Sequence, residues 1–300
     1  FVDTMRGTLA ALGMTEELSF SFTSEKTLDK LGVPEDSALR QAIPIMNPLT
    51  DEYPLIRTTL LTSVLENAAR NVARKNMDLR LFDIAPVFFP KALPVTELAN
   101  EKLMVAGLIT GRRNPIAWDT DNAQVDFYDM KGILERFLSA IGVQKYTVER
   151  GEHFAMHPGK TAFFKKGRDV IAILGEIHPT VAANFGITQS VYVFEMEVDT
   201  LLRYRKKKNG ITSLPKYPAS TRDLAILVDA GLSTAEIERV IAKKGGKFFR
   251  GATLFDVYMG KQVGSGKKSM AFHLHFQSND KTLTDEEVDA AFADILEAAQ

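Results

Sequence analysis

In the last third of the chain, apolar positions alternate with strand period in three places, and two helix starts lie between and after them. Leu224, Ile226 and Val228 alternate with their neighbours, and Phe255 and Val257 are expected on one side of a second strand with Asp256 and Tyr258 on the other. Met270, Phe272, Leu274 and Phe276 share a face of a third strand, leaving His273 and His275 opposite. Ser233 with Glu236, flanked by Leu232 and Ile237, forms a capping box with a hydrophobic staple; Thr284 with Glu287, flanked by Leu283 and Val288, repeats the device. Strand, helix, strand, strand, helix is the order of a ferredoxin-like sandwich without its last strand, which is expected to follow Gln300. In such a sandwich helices cover one sheet face and leave the other open.

Upstream the pattern is mixed. Thr4–Gly13 reads as a helix ending at glycine, and Leu18–Thr23 alternates as a strand. After an interruption at Asn47-Pro48, a long helix over Thr58–Lys75 carries Leu61, Val64, Leu65, Ala68, Ala69 and Val72 as one stripe, suited to a core or to a subunit contact. Strands are expected over Leu79–Phe89, Lys102–Ile109, Ala162–Phe164, Ala172–Ile177 and Val191–Glu197, with helices over Phe127–Ile141 and Pro179–Phe185. The strand pairs lie too close in sequence for helical crossovers, so the plan is α+β and mainly antiparallel. The Arg203–Tyr217 segment, with its basic run, Asn-Gly and proline, places a domain boundary near residue 208, giving units 1–208 and 209–300.

Three hundred residues with 45% apolar content suffice for two cores. With no cysteine, disulfides, thiolate metal sites and a cysteine nucleophile are excluded, and a cytoplasmic setting is expected. No apolar run approaches the roughly 20 residues of a membrane helix. The chain opens at Phe1 straight into an amphipathic pattern, as expected of a piece of a longer polypeptide. Net charge is −1, but unevenly spread: Arg203–Lys281 holds 16 Lys and Arg against 6 Asp and Glu, whereas Thr282–Gln300 holds 6 acids and no base. Such a divided field can attract phosphate locally, or simply reflect solvated loops and an acidic helix face.

Chemistry-bearing motifs fail one by one. Gly264–Ser269 lacks the earlier glycine of a phosphate-binding loop, Lys261 standing in its place, and is better read as the turn between two strands. His153 and His157 have zinc spacing, but Pro158 and Gly159 follow and no third ligand is suitably placed. The carboxylate pairs Asp119/Asp121 and Asp285/Glu287 fit a loop and a helix start. The open face is more promising. Tyr258 offers a ring for stacking beside the acceptor Asp256, the means by which unpaired RNA is read. Arg222, Lys261, Lys267 and Lys281 could meet phosphates, while His273 and His275 are either ordinary polar surface or base contacts. Tyr258 could equally pack against a neighbouring domain.

At these residues the chain resembles the bacterial phenylalanyl-tRNA synthetase β-subunit family. The carriers are Lys216-Tyr217-Pro218, Arg222-Asp223-Leu224, Leu254–Tyr258 with Gly260, Lys267-Lys268-Ser269, Phe276-Gln277-Ser278 and Thr282–Glu287. Further upstream they are Gly13, Glu17, Ser19-Phe20, Asn47-Pro48-Leu49, Arg57–Leu61, Leu81–Ile84 and Gly175–Pro179. Asp83 and Ala85 stand where the family commonly has glutamate and glycine, a departure expected to touch only local packing.

The resemblance implies an inactive class II synthetase-like module over 1–208, an antiparallel sheet with helices, followed by a ferredoxin-fold anticodon-binding domain over 209–300. It implies an α2β2 heterotetramer in which the α subunit activates phenylalanine with ATP and magnesium, none of them bound by this chain. Helix Val2–Leu12 would contribute to the subunit interface, and the C-terminal domain would hold the anticodon stem-loop of tRNA(Phe), with Asp256 and Tyr258 at a base. Arg222 is either a phosphate contact or a salt bridge to Asp223 or Asp256. Arg80–Asp83 only faintly echoes the arginine–glutamate pair of an active class II site, and Gly175–Phe185 holds no arginine for a triphosphate. A scaffold without RNA contact and a stand-alone enzyme are the alternatives.

Overall fold

The computed structural model describes residues 1–48, 50–206 and 214–299, the side chains of Lys261 and Ala299 excepted. The expected boundary at residue 208, with Lys207 and Lys208 of the basic run, lies outside the described residues, as do Leu49 and Gln300. Two compact units, Phe1–Asn209 and Gly210–Gln300, divide the chain.

The first unit runs α1 (Val2–Ala11), β1 (Thr15–Glu16), β2 (Phe22–Thr23), α2 (Glu25–Leu31), β3 (Leu55–Ile56), α3 (Leu61–Ala73), β4 (Leu79–Phe89), β5 (Asn100–Thr110), α4 (Phe127–Ala140), β6 (Thr147–Arg150), β7 (Met156–Lys166), β8 (Asp169–Ile177), α5 (Pro179–Asn184), β9 (Val191–Glu197) and α6 (Val198–Tyr204). Among the described residues a seven-stranded sheet of order β1-β4-β5-β9-β8-β7-β6 forms its centre. Its pairings are antiparallel except β1 with β4.

Both faces of this sheet are covered. Val105, Ile109 and Phe194 belong to one core with α1 and α4, while Ala106, Leu108 and Val193 belong to the other with α2, α3 and α5. Burial on both sides is why β5 reads as a continuous apolar run. Gly107 opposes Phe194 in the β5–β9 register, and a Cβ there would lie 2.4 Å from the Phe194 ring. The glycine lets that ring cross the strand.

The second unit runs β10 (Ser220–Asp229), α7 (Thr234–Lys244), β11 (Phe249–Tyr258), β12 (Lys267–Phe276) and α8 (Asp285–Ala299). Its sheet has the order β10-β12-β11, antiparallel throughout. Leu224, Ile226, Met270, Phe272, Leu274 and Phe276 are buried with Ile237, Ile241, Val288 and Ile295 of the two helices. The Ser233–Glu236 capping box is present, and Thr284 and Glu287 bond reciprocally at 3.3 and 3.4 Å. Gly264 and Gly266, at φ 82° and 76°, turn the chain between β11 and β12.

The expected strand over Leu18–Thr23 is a correction: only Phe22–Thr23 pairs, and Leu18 and Phe20 are 93% and 81% exposed. Its alternation belongs to a surface loop rather than to a half-buried strand.

Candidate nucleic-acid interface

Because the helices pack on one side of the β10-β12-β11 sheet, residues of the other parity form an uncovered face. Across the three strands its rows are Gly251–His275–Thr221, Thr253–His273–Asp223, Asp256–Ala271–Ala225 and Tyr258–Ser269–Leu227. Asp256, Tyr258, His273 and His275 all lie on this face, brought together from β11 and β12 as the alternation predicts.

Phe255 does not follow the alternation. A β-bulge between Leu254 and Asp256 sets two residues of β11 against Ala271, so Phe255 joins Asp256 on the open side instead of sharing the Val257 side. Its ring stacks on His273 at 3.9 Å between centroids and 14° between planes. His273 Nδ1 lies 2.6 Å from Asp223 Oδ1. Aspartate, imidazole and phenyl ring thus run from β10 across β12 to β11, one from each strand. His275 lies 3.4 Å from the Thr253 hydroxyl.

Tyr258 is held differently. A Cβ on Gly260 would fall 2.0 Å from the tyrosine Oη, so the ring lies back across the glycine. Asp256 is exposed and makes no hydrogen bond or ion pair among the described residues.

Of the predicted cations, Lys267 begins β12 on the surface, opposite Asp229. Lys281 Nζ is 2.5 Å from Glu287 Oε1. The Lys261 side chain lies outside the described residues. Arg222 is paired with Leu274 in register and sits on the helix-bearing side, donating to Asp289 (2.8 Å) and Asp285 (2.9 Å) of α8. Its salt bridge is therefore to neither Asp223 nor Asp256, because a residue two before Leu224 must share the face of Leu224. Asp285 and Asp289 raise the already high guanidinium pKa further, through hydrogen bonds first.

In the first unit, Arg80 and Asp83 are three apart on β4 and face opposite ways. Arg80 donates to the Arg113 carbonyl at 2.7 Å. Asp83 is buried, accepts from the Ser19 hydroxyl and lies 3.7 Å from the buried Arg57, so this position carries a polar network and not only local packing. Burial pulls the Arg57 guanidinium down and pushes the Asp83 carboxyl up. Both side chains are committed to internal bonds. The histidine pair of the first unit is dispersed, His153 in a loop and His157 in β7, and among the described residues no group of three or more His, Cys, Asp or Glu is placed to hold a metal.

The first unit's sheet and helices are those of class II aminoacyl-tRNA synthetases. A solved pyrrolysyl-tRNA synthetase from Desulfitobacterium hafniense shares the fold at TM-score 0.51 and 14% identity, over 67% of this chain and 66% of that one. In the same chain this fold is followed by a ferredoxin-fold module with an open polar and aromatic face. Residues 1–198 match the family described as phenylalanyl-tRNA synthetase beta chain CLM domain, and residues 215–300 match the ferredoxin-fold anticodon binding domain. The chain belongs to the phenylalanyl-tRNA synthetase beta-chain family. It is 38% identical over 299 residues to a phenylalanine–tRNA ligase beta subunit of Syntrophotalea carbinolica and 39% identical over 288 residues to that of Clostridium acetobutylicum. It spans 99% and 96% of itself in these matches but 37% and 35% of the relatives, little more than a third of their length.

Proposed function

We propose that this chain is a non-catalytic C-terminal part of a phenylalanine–tRNA ligase β subunit, which assembles with an α subunit and holds the anticodon stem-loop of tRNA(Phe) during ATP-dependent aminoacylation. One observation carries the reading: an uncovered sheet face on which Asp256, Tyr258, Phe255 and His273 gather, in a module matching an anticodon-binding family. Rings give sequence-tolerant stacking, a carboxylate accepts from base amino and imino groups, and surface lysines meet phosphates. The internal engagement of Arg80, Asp83 and Arg57 supports placing ATP, magnesium and phenylalanine activation in the α subunit. Exposed Leu18 and Phe20 are apolar surface suited to cover by a partner.

Binding of the full chain to a tRNA(Phe) anticodon hairpin, followed by fluorescence anisotropy over a salt series, tests this. Affinity should fall with salt, and Tyr258→Ala should cost about 1 kcal/mol, the scale of one stacked base. Removing Lys267 should flatten the salt slope, whereas removing Arg222, tied to α8, should leave it unchanged. Hairpin affinity indifferent to salt and to Tyr258→Ala would overturn the reading. Mixing with a purified α subunit and measuring mass in solution tests assembly. Pyrophosphate exchange with ATP and phenylalanine by this chain alone would establish the enzyme alternative instead.

A further inference from the structure

Between β5 and α4 the chain leaves the large sheet at Gly111 and returns at Val125, and both ends of this excursion are pinned. Val125 N donates to the Gly111 carbonyl and Arg113 N to the Ala123 carbonyl, each at 2.9 Å, with a bridge between Arg112 and Gln124 beside them. Gly111 sits at φ 85°, and a Cβ there would lie 2.4 Å from Asp78 Oδ1, the atom that accepts from Arg112 N at 2.8 Å. The Arg113 guanidinium turns inward, donating to Asp129 (2.9 Å) and Asp126 (3.1 Å) at the start of α4. Further out, the Thr120 hydroxyl donates to the Pro115 carbonyl at 2.9 Å and accepts from Ala117 N at 3.1 Å, bracing the turn that carries Trp118.

What this bracing holds outward is apolar. Trp118 is 97% exposed and Ile116 75% exposed. An indole left in water forfeits the burial that its large apolar area would give, and a loop that only connects two elements has no need of one. A loop fixed beforehand also spares part of the ordering cost of a contact, and tryptophan is among the residues most enriched where a few side chains dominate an interface. The charges beside the knob select among partners. Asp119 and Asp121 are exposed on either side of Thr120, while Arg112 and Arg113 are turned to carboxylates at the foot of the loop. Acids so placed repel RNA phosphates and an anionic lipid surface alike. They complement a protein surface with Lys or Arg around an apolar slot.

We infer that Trp118 and Ile116 form a knob that docks in an apolar slot, rimmed by Lys or Arg, on the α subunit proposed above. The inference rests on that assembly reading and adds to it the anchoring side chains and the chemistry of the surface they meet. Trp118 supplies most of the area that docking buries, and Asp119 and Asp121 orient the knob against the basic rim. Gly111, Arg113 and Thr120 are positioning residues, since they act through the backbone of the loop. Neither Trp118 nor Ile116 belongs to a core of the first unit, so replacing them takes nothing from its fold.

Trp118 is the only tryptophan in the sequence and so serves as its own reporter. With 5-hydroxytryptophan in its place in the full chain, it can be excited to the red of the α subunit's tryptophans, and acrylamide quenching then reads its exposure. Quenching should be that of an indole in water for the chain alone and should fall severalfold when purified α subunit is added. Trp118→Ala should weaken association with the α subunit about thirty-fold or more, the scale of a side chain that dominates an interface, with the melting profile unchanged. Trp118→Phe should recover part of the loss. Asp119→Lys combined with Asp121→Lys should also weaken association, more at low salt than at high. If the α subunit associates while the indole stays quenchable and Trp118→Ala binds as tightly as wild type, the knob is not the anchor, though the assembly reading stands. If no association occurs at all, both fall. Protection of the indole in the chain alone, or on adding tRNA or phosphatidylserine vesicles instead of the α subunit, would overturn the inference.

Discussion

Glu17 is buried beside the Asp83 and Arg57 network, with one carboxylate oxygen accepting from Asn67 at 2.7 Å and the other without a hydrogen-bond partner among the described residues. Burial first, and the nearby Asp83 second among the raising influences, push its pKa up to about 7 from 4.5. A carboxyl whose folded value lies above its unfolded one favours folding below about pH 4.5, and that stability is lost as pH rises through about 7. Glu17→Gln keeps an acceptor for Asn67 and cannot ionise. Wild type should therefore lose about 1–3 kcal/mol relative to the variant between pH 4.5 and 7, on the scale of 1.4 kcal/mol per unit. Chemical denaturation of both proteins across that range checks this; parallel pH profiles would refute it. At this scale the sequence was partly legible. Parity alone sorted Asp256, Tyr258 and His273 onto one face, but it missed Phe255, because a bulge adds a residue without leaving a composition signal. Parity also contained the answer for Arg222, two residues before Leu224, once the acidic start of α8 is set against that face.

Helix α3 begins without a side-chain cap of its own, since Leu60 occupies the cap position. Its cap arrives from β9: the half-buried Glu195 carboxylate accepts from the Leu60 N–H and the Thr59 hydroxyl, both at 2.8 Å. Burial pushes this carboxyl up, and the bonds from Thr59 and Leu60 pull the other way. Glu195→Ala should leave that amide and hydroxyl unpartnered and destabilise the first unit by about 1–3 kcal/mol. Glu195→Gln, which retains an acceptor, should cost less. Thermal unfolding of the two variants decides this, and equal melting temperatures would remove the capping role. Local caps are legible because donor and acceptor lie three residues apart, as at Ser233 and Thr284. A cap supplied from 135 residues away is not. The capping box of α4 was also overlooked, with Asp129 in the place where Glu or Gln is usual. The elements missed altogether are short: β1, β3 and β6 have two, two and four residues, and α2 and α6 are seven-residue helices in which apolar periodicity cannot declare itself.

At the scale of the whole chain, the apolar clusters divide without sharing a residue: two line the faces of the large sheet and the third belongs wholly to the C-terminal unit. The first two clusters pack on opposite faces of one sheet and should unfold together, whereas the third shares neither sheet nor core with them, so two transitions are expected. The smaller unit, with three strands and two helices, has less apolar surface to bury per residue and should melt first. Substitutions then serve as labels. Ser233→Ala removes one side of the α7 capping box, which should cost about 1 kcal/mol and lower the first transition by several degrees while leaving the second in place. Glu195→Ala should do the converse. Differential scanning calorimetry of the full chain and these two variants reads both transitions in one scan. A single transition that both substitutions lower equally would mean that the units unfold as one, and stability changes made in the C-terminal unit would then propagate to the first.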